Sequence, residues 1–215
     1  LFRGSTGRNA RIRPMLAFEY DTRVAQTSVT SPQQSDRNVL IFMLEVAHPV
    51  SSPPAALPRQ PLFLARELGI RHTIWLGEGC VGDDTHGHVD DVARFVTRDT
   101  LVVAYEPNPG DPNHESSADN LARLSRARDA AGQPLRVVTL PFPKPVVMSG
   151  QRLPASYANF YIANSTVIVP VYGGKNDKKA LEILQSCFRD RRVIGLDSSE
   201  LIWGLGSFHC ISQQE

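Results

Sequence analysis

The sequence predicts an α/β fold in which a unit of two strands, a helix and a third strand occurs twice. Apolar runs at residues 100–105 and 135–140 are continuous, which is typical of strands buried on both faces. Between these runs, and again nearer the C-terminus, apolar residues recur at helical spacing. A period of about 50–60 residues per unit favours a repeat architecture over an open doubly wound sheet.

The first unit is predicted to contain strands at residues 73–76, 100–105 and 135–140. Its helix lies before the last strand, where Ser116 or Ser117 can cap the start and Gly132 is expected to end it. Upstream, we expect a buried strand at residues 39–44 and a short helix at 61–68. Residues 1–38 show no periodic pattern.

The second unit is predicted to contain strands at residues 159–162, 166–169 and 192–196. The first two strands are close enough to form a hairpin around residues 163–165. Asn176 or Asp177 is expected to cap the helix that follows. Its apolar face is formed by Ala180, Leu181, Leu184, Cys187 and Phe188.

Composition excludes several classes of function. The 215 residues carry a formal net charge of +1, which gives no general attraction to nucleic acid or anionic membranes. No apolar run approaches the roughly 20 residues that span a bilayer. Three cysteines, Cys80, Cys187 and Cys210, are too few and too scattered for a disulfide framework. We therefore expect a reducing, cytoplasmic setting.

Two segments concentrate the chemically active side chains. The first, residues 82–95, contains His86, His88 and Asp90 among further acidic residues. The second, residues 203–214, places Cys210 beside a histidine and after two glycines, which allow the backbone to approach a ligand closely. In the first segment, polar and ionisable groups are packed more densely than a solvated loop requires.

Three motifs in the same order resemble the agmatine deiminase family, which includes the bacterial peptidyl-arginine deiminases. They are Gly82-Asp-Asp-Thr-x-Gly-His-Val-Asp-Asp-x-Ala-Arg-Phe95, Ala155-Ser-Tyr-x-Asn-Phe-Tyr-Ile162 and the closing Gly204-Leu-Gly-Ser-Phe-His-Cys-Ile-Ser-Gln-Gln214. The resemblance covers residues ~62–215. It implies a pentein-type α/β propeller built of ββαβ units, of which this chain would contain about three of five.

The resemblance also assigns roles to three residues. Cys210 corresponds to the nucleophile, His88 to the general acid/base and Asp90 to a carboxylate that binds the substrate guanidinium. No cofactor and no metal are implied, and the partner is a small cationic guanidine such as agmatine or a peptidyl-arginine side chain. Neither nucleic acid nor membrane is expected as a partner, and a homo-oligomer is left open. If residues 88–90 are extended, His88 and Asp90 point to one face.

The sequence departs from the family pattern in two places. A glycine and an asparagine of the closing motif are replaced by Leu205 and Ser207. The acidic motifs of the family's N-terminal half are not found in residues 1–60. We therefore expect residues 1–38 to be a divergent segment and residues 39–215 to be the C-terminal part of a deiminase domain. Taken alone, such a chain is expected to be neither fully active nor especially stable.

Three functions remain open at this point: an agmatine deiminase that forms N-carbamoylputrescine for polyamine synthesis, a peptidyl-arginine deiminase, and an inactive fragment. A metal-dependent hydrolase using His86, His88 and Asp90 is a fourth, although a final histidine and a second ligand cluster are missing.

Simpler roles are expected for the neighbouring side chains. An extended segment would turn His209 away from the site, and Asp83 and Asp84 suit turn and cap positions. Arg94 is expected to pair with a carboxylate. Trp203 and Cys187 are expected in the core, and Cys80 in a loop.

Overall fold

The computed structural model describes residues 39–43 by their backbone, and residues 72–83, 88–129 and 131–212 in full. The expected segment 1–38 and the expected helix 61–68 lie outside these ranges. The described strands and helices are β1 (Val39–Met43), β2 (His72–Leu76), β3 (Ala93–Phe95), β4 (Thr100–Tyr105), α1 (His114–Arg126), β5 (Arg136–Pro141), β6 (Val147–Met148), β7 (Gln151–Arg152), β8 (Tyr161–Ile162), β9 (Thr166–Val171), α2 (Asp177–Cys187) and β10 (Arg192–Asp197).

The predicted repeat is confirmed. Strands β3, β4 and β5 form one sheet, in which β3 is antiparallel and β5 parallel to β4. Strands β8, β9 and β10 form a second sheet with the same directions. In each sheet the helix connects the second strand to the third, so both sheets are ββαβ units. The short hairpin of β6 and β7 lies between the units.

The first strand of the first unit was predicted wrongly. The strand at residues 72–76 pairs in parallel with β1 in a separate two-stranded sheet, and β3 takes the place expected for it. Strand β3 is only three residues long and has Arg94 at its centre, so it lacks the apolar run that marks a buried strand.

Helix α1 also differs from its predicted bounds. It begins at His114 after Asn113, and Ser117 lies inside the first turn, where its hydroxyl donates to the carbonyl of His114 at 3.0 Å. The helix ends at Arg126 because the next residue has an extended backbone. Gly132, with φ of 78°, belongs to the turn that follows.

Two apolar clusters form the core, and the larger one joins the two units. The larger one joins residues of β4 and β5 to β9 and α2, and Phe160 packs edge-on against Phe188 with ring centroids 5.8 Å apart. The smaller one lies between β2, β3, β4 and α1. The predicted apolar face of α2 is confirmed, with Ala180, Leu184 and Phe188 fully buried. Within the described ranges, neither helix is long and apolar enough to cross a membrane.

Candidate active site

Three segments that are distant in sequence meet around the sulfur of Cys210. Its Sγ lies 3.2 Å from Oδ2 of Asp90, a residue 120 positions away, and 3.0 Å from Nδ2 of Asn159. Cys210 is exposed, whereas Asp90 and Asn159 are buried. The structure therefore brings together two of the three site residues expected from the sequence, at a place that a ligand can reach.

Asp90 is presented by a tight turn rather than by an extended segment. Residues Val89–Asp91 form one turn of 3-10 helix, closed by the bond from the Asp91 N–H to the carbonyl of His88 at 3.1 Å. Val89 is buried in the smaller apolar cluster and fixes the turn to the unit behind it. The expected extended geometry is wrong, and the turn lets His88 and Asp90 bond to different partners.

His88 is held by Asp83. One oxygen of that carboxylate accepts the backbone N–H of His88 at 2.6 Å, and the other lies 3.1 Å from the ring Nδ1. The hydrogen bond from Asp83 raises the pKa of His88 to about 8, against the opposing effect of burial. Asp83 itself is 2% exposed. Asp83 was expected only at a turn or cap position, and its pairing with the His88 ring goes beyond that expectation. Asp84 and His86 lie outside the described residues.

The loop before His88 is anchored from two sides. The backbone N–H of Val81 donates to the side-chain oxygen of Asn113 at 2.8 Å. Gly82 has φ of 98°, and a Cβ at this position would lie 2.3 Å from the carbonyl oxygen of Arg152. A side chain cannot be accommodated there, which explains why the motif begins with glycine.

The turn that carries Cys210 depends on a second close approach. A Cβ on Gly206 would lie 2.6 Å from Cβ of Cys210 and 2.9 Å from its sulfur. Leu205 has φ of 62°, a left-handed conformation that explains why the resembled family has glycine at this position. Ser207 is fully buried, with its hydroxyl oxygen 2.5 Å from that of Ser198.

His209 contacts the site, contrary to expectation. Its Nδ1 lies 2.6 Å from Oδ2 of Asp90, because the chain from Ser207 to Ser212 turns back on itself instead of running extended. Burial, the largest effect, raises the pKa of Asp90, but the hydrogen bonds from His209 and Cys210 and the nearby positive charge together outweigh burial, so the pKa is lowered. Asp90 is therefore ionised although it is buried.

The acidic groups determine the state of the thiol. Burial, and then the charge of Asp90, raises the pKa of Asp91 well above its usual range. Partial burial of the sulfur, followed by the negative charges of Asp90 and Asp91, raises the pKa of Cys210 to about 12. With nothing bound, Cys210 is a neutral thiol at physiological pH.

The sequence interpretation missed Asn159 and Asp91 as site residues. Asn159 donates to Oδ1 of Asp91 at 2.9 Å, and Oδ2 of Asp91 has no hydrogen-bond partner among the described residues. Both residues stand inside the quoted motifs. An asparagine flanked by buried apolar and aromatic residues is a signal that could have identified Asn159.

Several neighbouring residues differ from expectation. Arg94 donates to the carbonyl of Phe160 at 3.0 Å and lies over its ring, and no carboxylate accepts from it in the described part of the chain. Trp203 is 59% exposed rather than in the core. Cys80 lies in a loop as expected, where it is buried against Ala104 and Phe142, and Cys187 packs against the larger cluster as expected.

Three neighbouring side chains offer atoms that could bind a metal. Among the described residues, Asp90, Asp91 and Cys210 have ligand atoms within 4.8 Å of one another. The metal-hydrolase reading requires His86 in addition to His88 and Asp90, and His86 lies outside the described residues.

Replacing Asp83 tests the pairing with His88. In Asp83→Asn the pKa of His88 is expected to fall from about 8 to about 6.5 or lower, measured by NMR titration of the ring protons. Since the folded-state pKa is raised, the pair stabilises the fold fully below pH ~6.5, and this contribution is lost as the pH rises through about 8. Asp119→Asn, at an exposed pair with Arg123, is the control. A His88 pKa that stays near 8 in Asp83→Asn would contradict this.

Comparison with known proteins shows the family of this chain. The family model of the Porphyromonas-type peptidyl-arginine deiminases matches residues 62–215. A Latilactobacillus sakei protein provisionally named agmatine deiminase is 36% identical over 170 residues, which cover 71% of this chain and 47% of that protein.

Solved structures confirm the pentein-type α/β fold. The agmatine deiminase of Enterococcus faecalis superimposes with a TM-score of 0.74 at 30% identity, covering 88% of this chain and 55% of that one. A Porphyromonas gingivalis protein provisionally named arginine deiminase superimposes with a TM-score of 0.74 at 35% identity. The match covers 83% of this chain and 53% of that one. The chain spans about half the length of the curated relatives it matches. This chain belongs to the Porphyromonas-type peptidyl-arginine deiminase family.

Proposed function

We propose that this chain supplies the nucleophile, the general acid/base and one substrate carboxylate of a hydrolase that converts agmatine and water to N-carbamoylputrescine and ammonia. The observation that carries the proposal is the contact of the Cys210 sulfur with the ionised, buried Asp90. Agmatine deiminases among the similar proteins support the choice of substrate.

The charge of the site suits a guanidinium. This group is a planar cation whose N–H bonds match the two oxygens of a carboxylate, and Asp90 offers such a carboxylate next to the thiol. A bound cation would also offset the negative charges that raise the pKa of Cys210 to about 12. Substrate binding and formation of the nucleophilic thiolate are thereby coupled.

The reaction then proceeds in two displacements. On substrate binding the thiol of Cys210 releases its proton to solvent. The thiolate sulfur forms a bond to the central guanidinium carbon, one C–N bond breaks, and the departing nitrogen takes a proton from His88 to leave as ammonia. Water, deprotonated by His88, adds its hydroxyl to the same carbon of the thiouronium intermediate. The C–S bond then breaks, the thiolate is restored, and the hydroxyl proton passes to solvent as the oxygen becomes the product carbonyl.

The wider setting belongs to the same proposal. Agmatine is decarboxylated arginine, and N-carbamoylputrescine is one hydrolysis away from putrescine, so the enzyme would act in polyamine synthesis. We propose a cytoplasmic setting, in which a free thiol nucleophile stays reduced. Neither step uses a cofactor.

Replacing Cys210 tests the nucleophile. In the whole protein that contains this chain, Cys210→Ala is expected to abolish turnover and labelling by a haloacetamidine, a cationic reagent that mimics the substrate. Cys80→Ala and Cys187→Ala each remove one of the other two thiols, and both variants should retain turnover and labelling. Turnover that persists in Cys210→Ala would refute the assignment.

Replacing His88 and Asp90 tests the remaining roles. His88→Ala is expected to lower kcat by roughly 10²–10⁴-fold, the usual value of acid/base assistance. Asp90→Asn removes a charge-assisted contact worth roughly 1.5–3 kcal/mol, which lowers kcat/KM by about 10- to 150-fold.

The control for both variants is His114→Ala, because His114 bonds to the carbonyl of Glu106 away from the site. EDTA should leave turnover unchanged. Loss of activity on chelation would instead assign His88 and Asp90 as metal ligands.

Substrate competition separates the two deiminase functions. We expect the whole protein to release ammonia with a higher kcat/KM from agmatine than from an arginine residue within a peptide. The reverse preference would support the peptidyl-arginine deiminase alternative, to which the family description points. No release from either substrate, with Cys210 still labelled by haloacetamidine, would support an inactive member of the family.

A further inference from the structure

Asn159 bonds to every segment of the candidate site. Its side-chain oxygen accepts the backbone N–H groups of Ser207 at 3.2 Å, His209 at 3.0 Å and Cys210 at 3.3 Å. These N–H groups belong to the turn that carries the nucleophile. A single buried oxygen therefore fixes that turn from inside.

The other end of the same amide faces the chemistry. Nδ2 donates to the sulfur of Cys210 at 3.0 Å, to Asp91 at 2.9 Å and to Asp90 at 3.2 Å. An amide nitrogen has two hydrogens, so these acceptors share them. The orientation of the amide is fixed by chemistry, because a flipped group would direct its NH₂ at three N–H donors and its oxygen at two carboxyl groups.

The backbone around Asn159 is itself secured. Arg94 donates to the carbonyls of Ala158 at 3.4 Å and Phe160 at 3.0 Å, one on each side of Asn159. The hydroxyl of Ser156 donates to the carbonyl of Asp91 at 2.7 Å. The segment is therefore tied to the strand and turn that present Asp90 and Asp91, which prevents Asn159 from moving independently of them.

The groups that act on the sulfur have opposing effects. Asp90 and Asp91 disfavour a negative charge on Cys210, while the amide N–H of Asn159 favours it. The other polar side chains nearby are directed elsewhere, since His209 bonds to Asp90 and Arg94 to backbone carbonyls. Within the described residues, Asn159 is thus the donor placed on the thiolate.

We propose that Asn159 is a positioning residue that holds the Cys210 turn in register with Asp90 and Asp91 and stabilises the Cys210 thiolate through its amide N–H. The inference deepens the proposed function, since it rests on Cys210 acting as the nucleophile. Its measurable property is the ionisation of Cys210, which does not require turnover.

The test measures alkylation of Cys210 by neutral iodoacetamide in the whole protein from pH 7 to 9, quantified on the Cys210 peptide by mass spectrometry. The variant is Asn159→Leu, which keeps the shape and removes the amide. The matched control is Asn120→Leu. Asn120 is equally buried and bonds to the N–H of Gly77 and the carbonyl of Glu78, far from Cys210 in the chain.

The direction in which the alkylation rate of Cys210 changes separates the proposal from a purely structural role for Asn159. Each unit of added pKa lowers the thiolate fraction tenfold, and the greater nucleophilicity of the more basic thiolate recovers about threefold. We therefore expect alkylation at least ~3-fold slower in Asn159→Leu and unchanged in Asn120→Leu. Loosening of the turn without loss of a thiolate contact would expose the sulfur, move its pKa toward that of an ordinary cysteine and accelerate alkylation.

Unchanged or faster alkylation in a folded Asn159→Leu chain, judged by circular dichroism, overturns the proposal. If that variant does not fold, Asn159→Ala takes its place with the same expected slowing. Failure of both to fold while Asn120→Leu folds assigns Asn159 to structure alone and also overturns the proposal. Because no substrate is used, these outcomes are independent of the turnover experiments that test the proposed function.

Discussion

The site depends on keeping one buried carboxylate, Asp90, ionised. A buried charge is costly unless hydrogen bonds replace the water it has lost. Oδ2 of Asp90 is met by the ring of His209 at 2.6 Å, by the amide of Asn159 at 3.2 Å and by the thiol of Cys210 at 3.2 Å. These donors come from segments separated by up to 120 residues, so the charge also fixes how the segments come together.

This arrangement creates a conflict between binding and reactivity. A carboxylate that attracts a guanidinium also repels the thiolate that must attack it, and the pKa of Cys210 accordingly rises to about 12. Burial and the charge of Asp90 raise the pKa of Asp91, so a second negative charge beside the first is disfavoured. A bound cationic substrate offsets the remaining negative charge, so the Cys210 thiolate is favoured only when a substrate of the correct charge is present.

Sequence reasoning succeeded where a local pattern determines the structure. Strand β4 was placed at residues 100–105 because a continuous apolar run has few alternatives when both faces are buried. The family motifs, rather than periodicity, identified Cys210 and Asp90. In contrast, β3 was missed because its centre is Arg94, a charged residue that is buried only because backbone carbonyls and the ring of Phe160 accept it.

The positions of site residues depended on backbone geometry that sequence does not specify. His209 was expected to point away because alternation holds only in extended chain, whereas residues 207–212 form a turn. Asn159 could have been singled out as a polar residue between buried aromatic ones, but its partners lie 48 to 69 residues away. A single sequence gives no information on such long-range contacts.

The repeat provides a physical reason for these long-range contacts. The first strand of one unit begins at Ala93, and the first strand of the other begins at Tyr161. Asp91 and Asn159 therefore each lie two residues before the first strand of their unit. Asp91 and Asn159 occupy equivalent positions and bond to each other at 2.9 Å. The polar centre of the site is therefore built where the ββαβ units meet.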